Sequence, residues 1–460
     1  MKCELIYVSS VFLFIVLAGC ASVDIDGAFP EPRPLGGGLI GDPDAPPTGR
    51  GPGTAVEADE PVDTLTLGRA LTLALLGNPT LAAYSWERRA REAHALQSRL
   101  LPNPELDVEI ENVDGGAPGG AFSVAETTIL INQLLETGGK RGKRARYSAL
   151  EADRAGWDYE AKRLDILTET AAAFVGVLAA QERVLLAEKV YRLSDDLFSV
   201  VSARVEAGKV SPLDTAKASV ERSLNRIQVA RELSRLDAAR KRLTSFWGAA
   251  NPHFSRAAGE FAVADTLPAA GLLDGLVDQS PEVARWNTEM EHRRAALSLE
   301  RAGRFPDLTV GAGIRLFEET DDRMLVFGLS VPVPLFDRNQ GNVREAEYHL
   351  ARAREERRSS IVAARVQLAE AVGALQFAHS EVLALENAVL PAAAQALEAA
   401  REGYRRGKFG IRDVLDAQQT FAEVRYRYID AFVEYHRALT GVERLIGQGL
   451  ETIGLEDAKP

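Results

Sequence analysis

Cysteine is nearly absent. The 460-residue chain has two, Cys3 and Cys20, so no disulfide framework or cysteine metal cluster can exist in the remainder. Three methionines are too few for a thioether relay of copper(I). The six histidines (His94, His253, His292, His349, His379 and His436) are scattered without close metal-ligand spacing, and no metal site is expected. There is no His-Glu-x-x-His, nucleophile elbow or phosphate loop, and Gly311-x-Gly313 lies inside a strand pattern, so neither catalysis nor a cofactor is expected. Positive charge is in deficit. The 54 basic and 66 acidic residues leave a net charge of −12, which argues against nucleic acid and suits an interior that prefers cations.

The only early apolar run, Leu5 to Leu17, follows Lys2 and is shorter than the roughly 20 residues of a membrane-spanning helix. It ends in Leu17-Ala-Gly-Cys20, similar to the bacterial lipobox, so residues 1–19 read as a lipoprotein signal peptide and Cys20 as the lipid attachment site. The other reading is an ordinary signal peptide with a chance cysteine. Ala21 stands where an inner-membrane retention signal would have Asp, which points to outer-membrane lipid. Residues 20–63 are rich in Pro and Gly, cannot bury enough surface to fold alone and read as a tether, free or packed extended on the body.

Periodic structure starts at Leu65. Asn78-Pro79 opens a helix that stops at Leu101-Pro-Asn-Pro104. Glu105-Leu-Asp-Val-Glu-Ile-Glu111 then alternates strictly, giving one apolar and one acidic strand face. Strands are predicted at about 105–113 and 122–133, although Phe122/Val124 and Ile129/Ile131 fall on opposite phases. A proline-free helical run extends to Glu206, with a coiled-coil seam of Leu186, Val190, Leu193, Leu197 and Val200. Another helix follows from Pro212 to about Phe246. Residues 248–277 break the pattern and are expected outside the helical body. The order then recurs over residues 278–447, with strands at about 307–317 and 324–334, and Pro391 is expected to interrupt the long helix. Residues 448–460 form a tail. Asn78-Pro79 and Ser280-Pro281 share an offset of 202 with Pro104 and Pro306, which makes residues 64–247 and 278–447 two copies of one unit joined by an equatorial segment. Four apolar-faced strands cannot close a membrane barrel, which needs about eight, so several chains must contribute.

Each copy ends in a tight turn. Glu206-Ala-Gly-Lys-Val-Ser-Pro-Leu-Asp214 and Glu402-Gly-Tyr-Arg-Arg-Gly-Lys-Phe-Gly-Ile-Arg-Asp413 align Gly208 with Gly407 and Asp214 with Asp413, at an offset of 199. Asp416 lies one turn beyond Asp413. An acid in the first helical turn is favoured by the helix dipole, by roughly 0.3–1 kcal/mol, which accounts for Asp413 better than for Asp416.

These junctions, the two Gly-Lys turns and Asp413-Val-Leu-Asp416 resemble the TolC-type outer-membrane efflux proteins over about residues 65–447. Glu136-Thr-Gly-Gly-Lys-Arg141 and Pro334-Leu-Phe-Asp-Arg-Asn-Gln-Gly341 resemble the heavy-metal cation efflux (CzcC-like) lipoprotein branch. The resemblance implies a mainly α protein with a small transmembrane β part: long coiled α-barrel helices, four β-strands per chain, and a barrel closed by forming a homotrimer. It implies an inner-membrane resistance-nodulation-division pump and a periplasmic adaptor (membrane fusion) protein as partners. It makes Asp413 and Asp416 a ring of carboxylates at the pore gate, with Tyr404 and Asp214 in the gate network. Some relatives have Arg where this chain has Phe409, which leaves Arg405, Arg406 or Lys408 as substitutes. With Leu106, Val108 and Ile110 toward lipid, Asp107, Glu109 and Glu111 are expected on the lumen side, either as cation-attracting groups or merely as polar residues on an aqueous face. The expected function is a passive duct of a tripartite exporter, carrying heavy-metal cations. A drug-efflux or type I secretion duct of the same fold, and a periplasmic coiled-coil adaptor, are the alternatives.

Overall fold

The computed structural model describes residues 60–113, 120, 122–259, 263–264 and 266–450. The signal peptide, Cys20, most of the tether, the loop at residues 114–119 and the tail from residue 451 lie outside these. The chain divides into two compact units. One is built from Arg88–Gly156 and Thr288–Ala353; the other contains Trp157–Asn287 with the segments that end at Glu87 and begin at Arg354.

The elements are β1 (Thr64–Thr66), α1 (Leu67–Gly77), α2 (Pro79–Gln97), β2 (Glu105–Glu111), β3 (Glu126–Leu135), α3 (Lys140–Glu206) and α4 (Pro212–Thr244). After these come β4 (Arg256–Ala258), α5 (Ala270–Asp274), α6 (Pro281–Ala302), β5 (Leu308–Phe317), β6 (Asp322–Ser330), α7 (Gln340–Ala384), α8 (Leu390–Arg405) and α9 (Ile411–Ile446). The protein is mainly helical. Local chemistry sets several starts. Asn78 Oδ1 accepts the Leu81 N–H at 2.9 Å ahead of Pro79, and Ser280 Oγ accepts the Val283 N–H at 3.4 Å ahead of Pro281. Between α7 and α8, Leu385–Val389 forms a π-helical segment just before Pro391, where the ring removes a backbone donor.

In the first unit the four longer strands form one antiparallel sheet in the order β2-β3-β5-β6. Its register aligns Val108, Ile129, Ile314 and Leu325 in one row and Leu106, Ile131, Ala312 and Phe327 in the next, so two adjacent rows of one face are apolar across all four strands. β3 begins at Glu126, and Phe122–Val124 form a turn instead of strand. No bulge is needed to reconcile their phase. The Glu318 N–H donates to the Ala125 carbonyl at 3.1 Å, so odd-numbered residues of β3 bond toward β5 and even-numbered ones toward β2. By the same alternation, the backbone groups of Leu106, Val108 and Ile110 on β2, and of the odd-numbered residues of β6, point to outer edges that are unpaired among the described residues.

In the second unit, Phe174, Val177 and Leu178 of α3 pack with Leu65, Leu73, Leu236, Leu243, Phe254 and Ala257. Phe254 and Ala257, from the segment expected outside the helical body, thus lie in its core. The tether's last residues are also held. Glu60 accepts from the N–H groups of His253 (2.7 Å) and Phe254 (3.2 Å) and from Trp247 Nε1 (3.1 Å), beside the parallel β1–β4 pair. A second cluster joins Leu368, Leu375 and Val382 of α7 to Tyr435 and Val442 of α9. Leu186, Val190, Leu193 and Leu197 form a seam as expected, but Val201, fully buried, replaces the exposed Val200 as its next member.

Candidate functional site: two helical turns and an acidic sheet face

Both turns close in the same way. Gly208 (φ 69°) donates to the Val205 carbonyl at 2.9 Å and Lys209 to Arg204 at 2.9 Å; Gly407 (φ 73°) donates to Tyr404 at 3.0 Å and Lys408 to Gly403 at 2.8 Å. The positive φ explains both glycines, and the paired bonds satisfy the last carbonyls of α3 and α8. Every partner in one turn lies 199 positions from its counterpart in the other.

The second turn has a further requirement. A Cβ on Gly403 would fall 2.1 Å from Phe409 Cδ2, because the Phe409 ring lies against the helix backbone at that point. Gly403 had no local sequence signal. Its demand comes from a residue six positions away.

Asp413 is exposed on the first turn of α9, and its carboxylate accepts the Gly410 N–H at 2.8 Å, capping the helix. Asp416 is exposed too, and its carboxylate has no hydrogen-bond or ion-pair partner among the described residues. The first turn has different chemistry at the matching places. Asp214 is half-buried and ion-paired with Lys217 at 3.8 Å, and Lys217 occupies the position that matches Asp416. One turn therefore carries a balanced pair and the other two like charges. Behind the acids, buried Gln418 donates to the Val190 carbonyl (3.2 Å) and Ser194 Oγ (3.1 Å), and Asn225 donates to the same Oγ at 2.7 Å. This network fixes α3, α4 and α9 in register.

Tyr404 is 4% exposed, packed with Leu197, Val201, Ala218, Ala400, Ile411 and Val414, and its hydroxyl has no hydrogen-bond partner among the described residues. Within the chain it is therefore not joined to Asp214. Its ring faces Arg204 instead, whose guanidinium carbon lies 4.5 Å from the ring centroid. Arg204 Nη2 also donates to the Arg405 carbonyl at 2.9 Å. Arg405 and Arg406 are engaged with Glu402, at 3.8 and 2.7 Å. Arg204 did not emerge from the sequence, although the offset of 199 puts it opposite Gly403.

On the sheet, Glu105, Asp107, Glu109 and Glu111 occupy the face opposite the apolar rows, as alternation dictates. Arg315 shares that face. It donates to Thr128 Oγ1 at 2.9 Å and to Glu126 at 3.3 Å, and pairs with Glu111 at 3.5 Å. Glu111 is thus partly neutralised, while Asp107 and Glu109 have no ion-pair partner among the described residues. At the strand–helix junction, Asp307 accepts from the Thr137 N–H and Lys140 Nζ, both at 2.8 Å. Burial alone would raise its carboxyl, but those hydrogen bonds and the charges of Lys140 and Arg144 hold it below the ordinary range. Arg144 chelates Glu136 beside it and reaches the Ser98 carbonyl at 3.2 Å. Among the described residues no cluster of His, Cys, Asp and Glu is arranged to hold a metal.

The family model "Outer membrane efflux protein" matches residues 70–249 and again 272–448. The chain belongs to that family. As a member it is an outer-membrane efflux channel. Among the relatives of this efflux protein is the cobalt-zinc-cadmium resistance protein CzcC of Cupriavidus metallidurans, 35% identical over 85% of this chain and 91% of that one. The nickel-cobalt-cadmium resistance protein NccC of Alcaligenes xylosoxydans is 28% identical over 65% of this chain and 67% of its own. Its fold matches the crystallised transmembrane channel CusC, with a TM-score of 0.71 at 18% identity, covering 83% of this chain and 92% of that one.

Proposed function

We propose that this efflux channel works as a trimeric duct, delivering heavy-metal cations across the outer membrane from an inner-membrane pump and a periplasmic adaptor. The observation that carries the reading is the β2-β3-β5-β6 sheet: one face with apolar rows across all four strands, a charged opposite face, and two outer edges unpaired among the described residues. Unpaired edges are not tolerated in lipid, so the sheet needs neighbours, and three copies supply twelve strands. Cys20 anchors each chain through lipid, two copies of one unit make up the body, and the channel does no chemistry of its own. Heavy metal as cargo is favoured by the names of its relatives and by the surplus of acid on the sheet face.

In this reading Asp413 and Asp416 form the gate, six carboxylates in a trimer, with Tyr404 and Asp214 in the surrounding network. At the two matched positions the second turn of each chain presents two carboxylates, whereas the first presents Asp214 paired with Lys217. The test is Asp413→Asn with Asp416→Asn in planar bilayers, because Asn keeps the acceptor that caps α9 and removes only the charge. Cation preference and block by divalent ions should both fall. Unchanged ion selectivity would remove these aspartates from the gate. The drug-efflux and protein-secretion readings separate from this one in a deletion strain, by its sensitivity to zinc or cobalt salts set beside its sensitivity to drugs.

A further inference from the structure

Four helices come together at the two turns: α3 and α8 arrive, α4 and α9 leave. Their apolar residues Leu197, Val201, Ala218, Ala400, Ile411 and Val414 surround one aromatic side chain, Tyr404. The Tyr404 hydroxyl has no hydrogen-bond partner among the described residues, so there its position is set by what touches the ring. Arg204 touches the ring, at 4.5 Å, and ties it to the backbone beyond through the bond to the Arg405 carbonyl at 2.9 Å. Arg405 is the last residue of α8, where carbonyls lack helical partners and a cation is favoured by the helix dipole. Stacking and in-plane donation together suit a planar guanidinium, and a lysine ammonium cannot supply both.

The two turns differ here by necessity. At the position of Arg204 the second turn has Gly403, whose missing side chain leaves room for Phe409. Arg405 and Arg406 are held by Glu402. The restraint between the turns therefore comes from the first turn onto the second.

We propose that Arg204 is the positioning residue that holds the acidic turn against the balanced one, and that moving Asp413 and Asp416 requires Arg204 to leave both the Tyr404 ring and the Arg405 carbonyl. This rests on the reading of that acid pair as the gate. The partner-driven step acts on a contact that involves neither aspartate.

Amide hydrogen exchange on the full-length protein in detergent tests it. The reporters are Gly407 and Lys408, bonded to Tyr404 and Gly403; the controls are Gly208, Lys209 and Gly447, the last bonded to Glu443 at 2.8 Å. Arg204→Ala and Arg204→Lys should each speed exchange at the reporters by about tenfold or more, the scale of one charged hydrogen bond or cation–π contact, and leave the controls unchanged. Tyr404→Phe should match the parent, whereas Tyr404→Leu should behave like Arg204→Ala. Unaltered reporters in Arg204→Ala would overturn the proposal. So would equal acceleration at Gly447, which would mean general loosening, and so would Tyr404→Phe behaving like Tyr404→Leu, which would assign the role to the hydroxyl. If the reporters respond as expected while the double Asn variant keeps its selectivity, the gate reading fails and the latch stands. Changed selectivity with silent reporters gives the reverse.

Discussion

If the two halves are copies, the pairing seen inside the chain fixes the pairing between chains. β2 and β5 are related by an offset of 202, and β3 and β6 by 200, the offset between the starts of α3 and α7. Within the chain β3 pairs β5 with Gln133 opposite Val310 and Ile131 opposite Ala312. Applying the offsets places Val333 of one copy opposite Val108 of the next, and Val331 opposite Ile110. Both are apolar pairs on the lipid side. The prolines agree with this register. β6 ends at Ser330, and Pro332 and Pro334 are even-numbered, so their missing N–H groups fall on the β5 side, where pairing has stopped. Val331 and Val333, unlike the prolines beside them, retain backbone N–H groups. A hydrogen-bonded antiparallel pair has Cα atoms about 5.5 Å apart, inside the roughly 4.4–6.8 Å window of a disulfide. A slip of two residues moves a partner about 6.8 Å along the strand and puts the pair near 9 Å, outside that window. Val333→Cys with Val108→Cys should therefore form intermolecular disulfides on mild oxidation, giving dimer and closed trimer on non-reducing gels. Val333→Cys with Ile110→Cys, or with Leu106→Cys, should not. The two native cysteines, Cys3 and Cys20, are replaced in the background, and each single-cysteine variant serves as a control. Crosslinking by a slipped pair and not by Val333/Val108 would refute both the register and the offset on which it rests.

Gly403→Ala should destabilise the second turn by about 1–3 kcal/mol through overlap with Phe409, and Phe409→Ala should recover most of that, measured by thermal unfolding. His292 is 2% exposed, stacked on Tyr147 at 4.5 Å, and burial, with Arg154 and Arg293 opposing Glu289, lowers its pKa to about 4. The unfolded chain binds that proton from about pH 6.5 downward while the native state does not, so stability should fall by ~1.4 kcal/mol per pH unit between there and about pH 4, some 3 kcal/mol in all. His292→Phe should flatten that slope in acid-unfolding curves, and an unchanged slope would clear His292. Arg315→Gln frees Glu111 and Glu126 and should raise the cation-to-anion permeability ratio, read from reversal potentials. Replacing Asp107 and Glu109 by Asn should lower it.

The strands were legible because strict alternation has one structural solution when a face is buried in apolar surroundings. Glu105–Glu111 is the clearest case. Phe122 and Val124 misled because apolar side chains in a turn look the same as apolar side chains in a strand when nothing local marks the boundary. Gly208 and Gly407 were legible from turn chemistry, and Asp413 as a first-turn acid. Gly403 and Arg204 were not, because what they do depends on Phe409 and Tyr404 after the helices have packed. The seam could be read as far as Leu197. Whether Val200 or Val201 followed depended on neighbours that a heptad count does not include.

The π segment Leu385–Val389 ahead of Pro391 has a mechanical side. α3 runs 67 residues without such a break, so a load along it spreads over an unbroken ladder of hydrogen bonds. The same load on the path from α7 to α8 meets a stretch with wider turns and a missing donor, and compliance concentrates there. Of the two long helical paths, one is a strut and the other has an elbow, and the elbow is on the side that carries the paired acids.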